Sequence, residues 1–156
     1  MGVAALWNRH ALDGIHYQRR FFYRRAFPDE TSRVELVVEN NKLLPATWLR
    51  IADNWPDAVS LDETAYQERT ADEGYQDLVH FISLRWFGRV RRAYDLSFKQ
   101  RGVYPVGPVK FESGDPFGLF EKYAEARQIA YLTVYPRIMA LIDLKLKHED
   151  PVGDIA

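Results

Sequence analysis

A chain of 156 residues, 47% apolar and 28% charged, suffices for one globular domain that hides roughly 68–70% of its unfolded surface. The absence of cysteine excludes disulfides and thiolate chemistry, and a formal charge of −1 supplies no overall attraction to nucleic acid or anionic lipid. No stretch reaches the roughly 20 apolar residues of a bilayer-spanning helix, and nine Tyr, nine Phe and four Trp favour strands, where broad rings fit a pleated, half-buried surface.

The opening Gly2-Val3-Ala4-Ala5-Leu6-Trp7 is apolar, ends in Trp and runs at once into Asn8-Arg9-His10. Trp followed by Arg is how a spanning helix meets the membrane interface. Residues 1–12 therefore read either as the end of a truncated membrane helix with its juxtamembrane segment, or as an ordinary N-terminal element that packs Leu6 and Trp7. Gly14 to Phe27 reads as one long first strand ending at Pro28. Arg33 to Glu39 alternates, with Val34, Leu36 and Val38 on one face, and Asn40-Asn41 supplies a turn because Asn tolerates a positive φ. Trp48 to Asp53, between Pro45 and Pro56, is a weaker strand.

From Asp53 to Asp77 eight acids face one base, Arg69, and the alternation is lost. Asp62 as a cap before Glu63, Ala65, Glu68 and Ala71 predicts a short helix within residues 62–77. Alternation returns at Arg89 to Phe98, with Val90, Tyr94, Leu96 and Phe98 sharing a face with Arg92. Val103-Tyr104 and Val109 to Phe111 flank Pro105, Gly107 and Pro108, which suits an edge or a bend. The run Gly114-Asp115-Pro116-Phe117-Gly118-Leu119-Phe120 predicts a tight turn: the glycines permit backbone angles barred to other residues, Pro116 fixes a torsion, and the three large apolar side chains anchor the bend. Ile129 to Tyr135 is a further strand, Leu141 to Leu146 a last short one, and residues 148–156 an irregular tail. Punctuation by Pro and Gly predicts a mainly β, immunoglobulin- or fibronectin-like antiparallel sandwich over residues 13–147, with one short helix.

No chemistry emerges from the motifs. The histidines His10, His16, His80 and His148 are too scattered for a local zinc pattern, and His80 inside Leu78-Val79-His80-Phe81-Ile82 reads as a hydrogen-bonded core residue. No nucleophile elbow occurs, Ser113 sits in a turn, and Gly107 and Gly114 lack the spacing of a phosphate loop. Asp53, Asp57, Asp115 and Asp143 lie near aromatics but do not identify a carboxylate pair. The arginine runs at Arg19 to Arg25 and Arg85 to Arg92 are interleaved with rings, but adjacent arginines on a strand face opposite sides. Ion pairing across strands, or a basic surface near anionic lipid, is the more economical expectation than nucleic acid, which is not expected as a partner. No catalytic, cofactor-binding or metal-ligating residue is assigned. Arg24, Arg25, Arg89 and Arg91 are the expected interaction surface, and Gly114, Asp115, Pro116, Phe117 and Gly118 the expected structural turn.

Three stretches in order carry a resemblance: Asn8 to Tyr17 with Phe27-Pro28-Asp29-Glu30; Val37-Val38-Glu39-Asn40-Asn41-Lys42-Leu43-Leu44-Pro45 with Trp48-Leu49 and Trp55-Pro56; and Arg101-Gly102-Val103-Tyr104-Pro105-Val106-Gly107-Pro108 leading into Gly114 to Phe120. In this order they resemble the N-terminal half of the domain-of-unknown-function 58 family, bacterial membrane-anchored proteins, over nearly the whole chain. The resemblance implies a β domain that follows a pair of transmembrane helices, with the cytoplasmic side slightly favoured, and precedes a region likened to von Willebrand factor A domains. It also implies a MoxR-type AAA+ ATPase as partner and no established catalysis. The anchor and the later region are not in this chain. The expected function is a non-catalytic structural or protein-interaction domain, with a homodimer through the edge of the first strand open. The alternative is a carbohydrate-binding or carbohydrate-active sandwich using Trp48, Trp55 and Trp86.

Overall fold

A computed structural model describes residues 12–27, 30–114 and 121–136, which form twelve strands and no helix. They are β1 (Ile15–Phe21), β2 (Arg25–Ala26), β3 (Thr31–Asn40), β4 (Ala46–Pro56), β5 (Val59–Leu61), β6 (Gln67–Arg69), β7 (Tyr75–Leu84), β8 (Arg89–Phe98), β9 (Gly102–Val106), β10 (Val109–Gly114), β11 (Glu121–Ala126) and β12 (Ala130–Val134). A four-stranded sheet in the order β1-β3-β8-β5 faces a five-stranded sheet in the order β11-β10-β4-β7-β6, and β2-β12-β9 form a smaller third sheet. All pairings are antiparallel except β2 with β12. The described residues are thus an antiparallel β-sandwich of immunoglobulin-like type.

The period-2 pattern builds the core directly. Val34, Leu36 and Val38 of β3 and Tyr94, Leu96 and Phe98 of β8 turn inward against Leu49, Ile51 and Trp55 of β4 and Leu78, Ile82 and Leu84 of β7. Val106, Leu132 and Val134 bring the small sheet into the same core. Each large aliphatic side chain buried this way contributes about 1.5–3 kcal/mol, so the facing stripes hold the layers together.

Four expectations are corrected. The long first strand is two: β1 stops at Phe21, and after a break at 22–24 the chain joins the small sheet as β2 beside Thr133 and Val134. The helix within 62–77 does not form. Asp62 instead closes a turn, accepting from the Thr64 amide at 3.0 Å, and its other oxygen accepts the Asp95 amide of β8 at 3.0 Å. The following residues then pair as β6 with β7, because no apolar stripe continues to carry a helix. Neither Asn40 nor Asn41 has a positive φ; Asn40 is the last residue of β3. Gly114 ends β10 and pairs with Glu121 across the ladder, and it is not among the left-handed glycines. Asp115, Pro116, Phe117 and Gly118 lie outside the described residues, as does Leu141 to Leu146.

Candidate functional site

Asp53, one of the four acids near aromatics, is committed to structure. It is fully buried on β4, between the sheets. Arg19 of β1 grips it with two bonds, Nη2 to Oδ1 at 2.6 Å and Nε to Oδ2 at 2.7 Å. The Tyr17 hydroxyl and the Trp55 indole donate to Oδ2 at 2.7 and 3.1 Å. Arg19 Nη1 donates to the Gln128 carbonyl at 2.7 Å, extending the junction to the loop before β12. Burial, then the Asp53 charge, pushes the Tyr17 phenol well above its ordinary range, so it stays a donor. All four bonds that Asp53 accepts come from groups of the fold itself. The carboxylate is a latch between sheets.

His80 forms a second tie. Its Nε2 lies 2.8 Å from the Tyr94 hydroxyl, across from β7 to β8. Burial, assisted by the Arg92 charge, lowers its pKa from 6.5 to about 4. The folded state therefore holds fewer protons than the unfolded one between these values. Stability contributed by neutral His80 is fully present above pH 6.5 and is lost as pH falls towards 4. The loss amounts to about 3 kcal/mol, taking about 1.4 kcal/mol per unit. Urea titrations at both ends of this window should show it, and His80→Phe should remove this part of the pH dependence; an unchanged slope in that variant would place the effect on other groups.

Several of the remaining acids and bases pair across strands. Arg50 joins Glu68 at 2.6 Å and Glu112 at 3.1 Å across the outer face of the five-stranded sheet, and Asn54 donates to Asp77 at 2.9 Å. Arg33 meets Asp95 and Arg89 meets Glu39, each at 2.7 Å. Within the arginine runs, Arg89 shows the expected cross-strand pairing, whereas Arg33 and Arg50 lie outside them. Among the described residues no three His, Asp or Glu side chains gather as metal ligands. The expected arginine surface is divided. Arg89 and Arg91 start β8 beside the end of β3, whereas Arg24 and Arg25 lie beyond the far end of β1. The three tryptophans considered for glycan stacking also separate: Trp55 is core, Trp48 is half-buried, and Trp86 is 62% exposed.

One end of the sandwich gathers features that sequence kept apart. Asn40, fully buried, donates both Nδ2 hydrogens, to the Leu44 carbonyl at 2.9 Å and the Arg85 carbonyl at 3.0 Å. It thereby clamps the β3–β4 turn to the β7–β8 turn. The Phe87 amide donates to the Lys42 carbonyl, and the Asn41 amide to the Gly14 carbonyl. The residues that lead into β1 therefore sit at this same end. Lys122 of β11 is 3.8 Å from Asp13 and joins them. On this frame Leu43, Trp86 and Phe87 stand exposed at 76%, 62% and 63%. Phe87 also has φ +51°, the left-handed region, and is the one non-glycine there among the described residues. A bulky ring that is strained and exposed contributes little to the core, and such outliers concentrate where a surface is presented. Phe87→Gly should raise stability by about 0.5–1 kcal/mol, since relief of roughly 1–2 kcal/mol of left-handed strain outweighs glycine's extra chain entropy. A lower urea midpoint in that variant would mean that the ring supports the fold.

No protein-family model matches the chain, and no curated protein matches it. Similar solved structures include the CARDB domain of a Pyrococcus furiosus protein, 11% identical over 78% of this chain and 86% of that one, with a TM-score of 0.47. A cohesin module from a Clostridium perfringens family 33 glycoside hydrolase is 7% identical over 77% and 97%, with a TM-score of 0.46. A β-glucosidase from Listeria innocua is 9% identical over 77% of this chain but 16% of that one, also at 0.46. These are distant likenesses of shape and carry nothing about activity.

Proposed function

We propose that the chain is a non-catalytic protein-interaction domain of a membrane-anchored bacterial protein, working beside a MoxR-type AAA+ ATPase. The observation that carries the non-catalytic part is the fate of Asp53 and His80, two titratable groups inside the sandwich. Both are buried and hold the two sheets together. What remains outward is a set of exposed rings and arginines on the strands and the turns that join them, the surface chemistry of a docking module. The anchor and the ATPase come from the family resemblance, most specifically from Arg101 to Tyr104 and Gly114 to Phe120.

Capture of the ATPase by the full-length parent protein tests this reading. Deleting residues 13–147 from the parent should abolish capture from a purified mixture. Capture at undiminished yield would remove the domain from the interaction, and turnover of any substrate by the isolated domain would end the non-catalytic reading.

A further inference from the structure

We infer that the end bearing Leu43, Trp86 and Phe87 is a lipid-docking face that seats the domain on an anionic membrane surface. The inference rests on the membrane-anchored reading above. Three independent observations converge on this end.

The first is chemical. Trp86, Phe87 and Leu43 project from two turns locked together through Asn40, so large rings are held out at little entropic cost. Arg85 stands among them, and Arg91 follows Arg89 on the outer face of β8; among the described residues neither has an acidic partner. The acids nearby are occupied: Glu39 by Arg89, Asp13 by Lys122, and Glu121 by the Tyr123 hydroxyl. Exposed Trp and Phe beside Arg match the headgroup boundary, where rings sit at the acyl edge and cations meet lipid phosphate.

The second is connectivity. Gly14 is bonded to Asn41, so the chain before β1 leaves from this end. In sequence it leads back within a few residues to Arg9, Trp7 and the apolar run from Val3. The described start of the chain therefore lies at the pole that carries the exposed rings.

The third is strain. Phe87 keeps a left-handed φ while its ring stays in solvent, so its backbone conformation serves presentation rather than packing. The opposite pole also exposes rings, Phe22 and Tyr23, with Arg24 and Arg25. It has no such strain among the described residues and lies away from the start of β1.

Flotation of the full 156-residue chain with phosphatidylcholine vesicles containing roughly 30% phosphatidylglycerol tests the assignment. The chain should float with these vesicles, and far less with phosphatidylcholine alone. Raising salt from about 0.1 to about 0.5 M should weaken binding. The double variant Trp86→Ser, Phe87→Asn keeps a residue tolerant of positive φ and should bind about tenfold less tightly. Arg85→Ser should reduce binding to anionic vesicles alone. Phe22→Ser with Tyr23→Ser should bind as the parent does. Undiminished binding by the Trp86/Phe87 variant would assign any attachment to the N-terminal run and overturn the proposal. So would loss confined to the Phe22/Tyr23 variant, or loss of ATPase capture with vesicle binding intact, which would make this end a protein contact. Vesicle binding lost as expected while the parent never captures the ATPase would leave the lipid face standing and sink the partnership instead.

Discussion

Asp53→Ala should lower the unfolding free energy by about 3–5 kcal/mol, because it leaves the Arg19 guanidinium charged and unpaired between the sheets. The Arg19 side chain is 4% exposed and Asp53 is 0% exposed, so solvent screens neither. The same deletion strands the Tyr17 hydroxyl and the Trp55 indole, each a donor in a dry environment. Against a total stability of about 5–15 kcal/mol, the variant sits near the folding threshold. At about 2–4 °C per kcal/mol for a domain of this size, its melting temperature should fall by roughly 6–20 °C. The paired replacement Arg19→Met, Asp53→Leu should recover most of the loss, since removing both charges removes the desolvation penalty along with the attraction. Failure of the pair to recover would show that the Tyr17 and Trp55 bonds matter more than the ion pair. A melting temperature unchanged in Asp53→Ala would refute the latch.

The latch shows where sequence reading works and where it stops. Alternation places adjacent Arg19 and Arg20 on opposite faces, and that holds: Arg19 points in and Arg20 points out. Nothing local says that Arg19 is the buried one, because its partner stands 34 residues away on the other sheet. β8 is legible because it has one core face and one wet face, and it spans Arg89–Phe98 as read; β3 is legible from Val34, Leu36 and Val38, although Val37 on its other face is buried as well. β7 is harder: Leu78 and Val79 are both buried, on opposite faces, so its middle shows no alternation. β11 reads Glu-Lys-Tyr-Ala-Glu-Ala, a helix-former composition made into a strand by pairing with β10 alone. The exposed end was illegible for a further reason. Leu43 and Trp86 come from turns far apart in sequence, joined by Asn40, whose side chain acts as a clamp where composition suggests only a turn.

Gly107→Ala should cost about 3–5 kcal/mol, combining roughly 1–3 kcal/mol of backbone strain with a similar overpacking cost. Gly107 has φ +114°, and a Cβ there would lie 2.3 Å from the Gln128 carbonyl oxygen and 3.0 Å from Arg19 Nη2. The first overlap is with backbone, so no side-chain rotation relieves it. The Gly107 amide also donates to the Asn54 carbonyl at 2.8 Å, which holds the residue against β4 and blocks retreat. The 127–129 loop must therefore move, and the Arg19 bond to the Gln128 carbonyl goes with it. Gly74→Ala supplies the contrast. Gly74 has φ +82° but open space around its missing Cβ, so it should lose about 1 kcal/mol from the left-handed angle alone. The coupling decides the mechanism: Gly107→Ala and Arg19→Met should be non-additive by at least about 1 kcal/mol, because both break the same contact. Additivity within about 0.5 kcal/mol would mean that the loop yields without disturbing Arg19, and that Gly107 and the buried ion pair stabilise the sandwich separately.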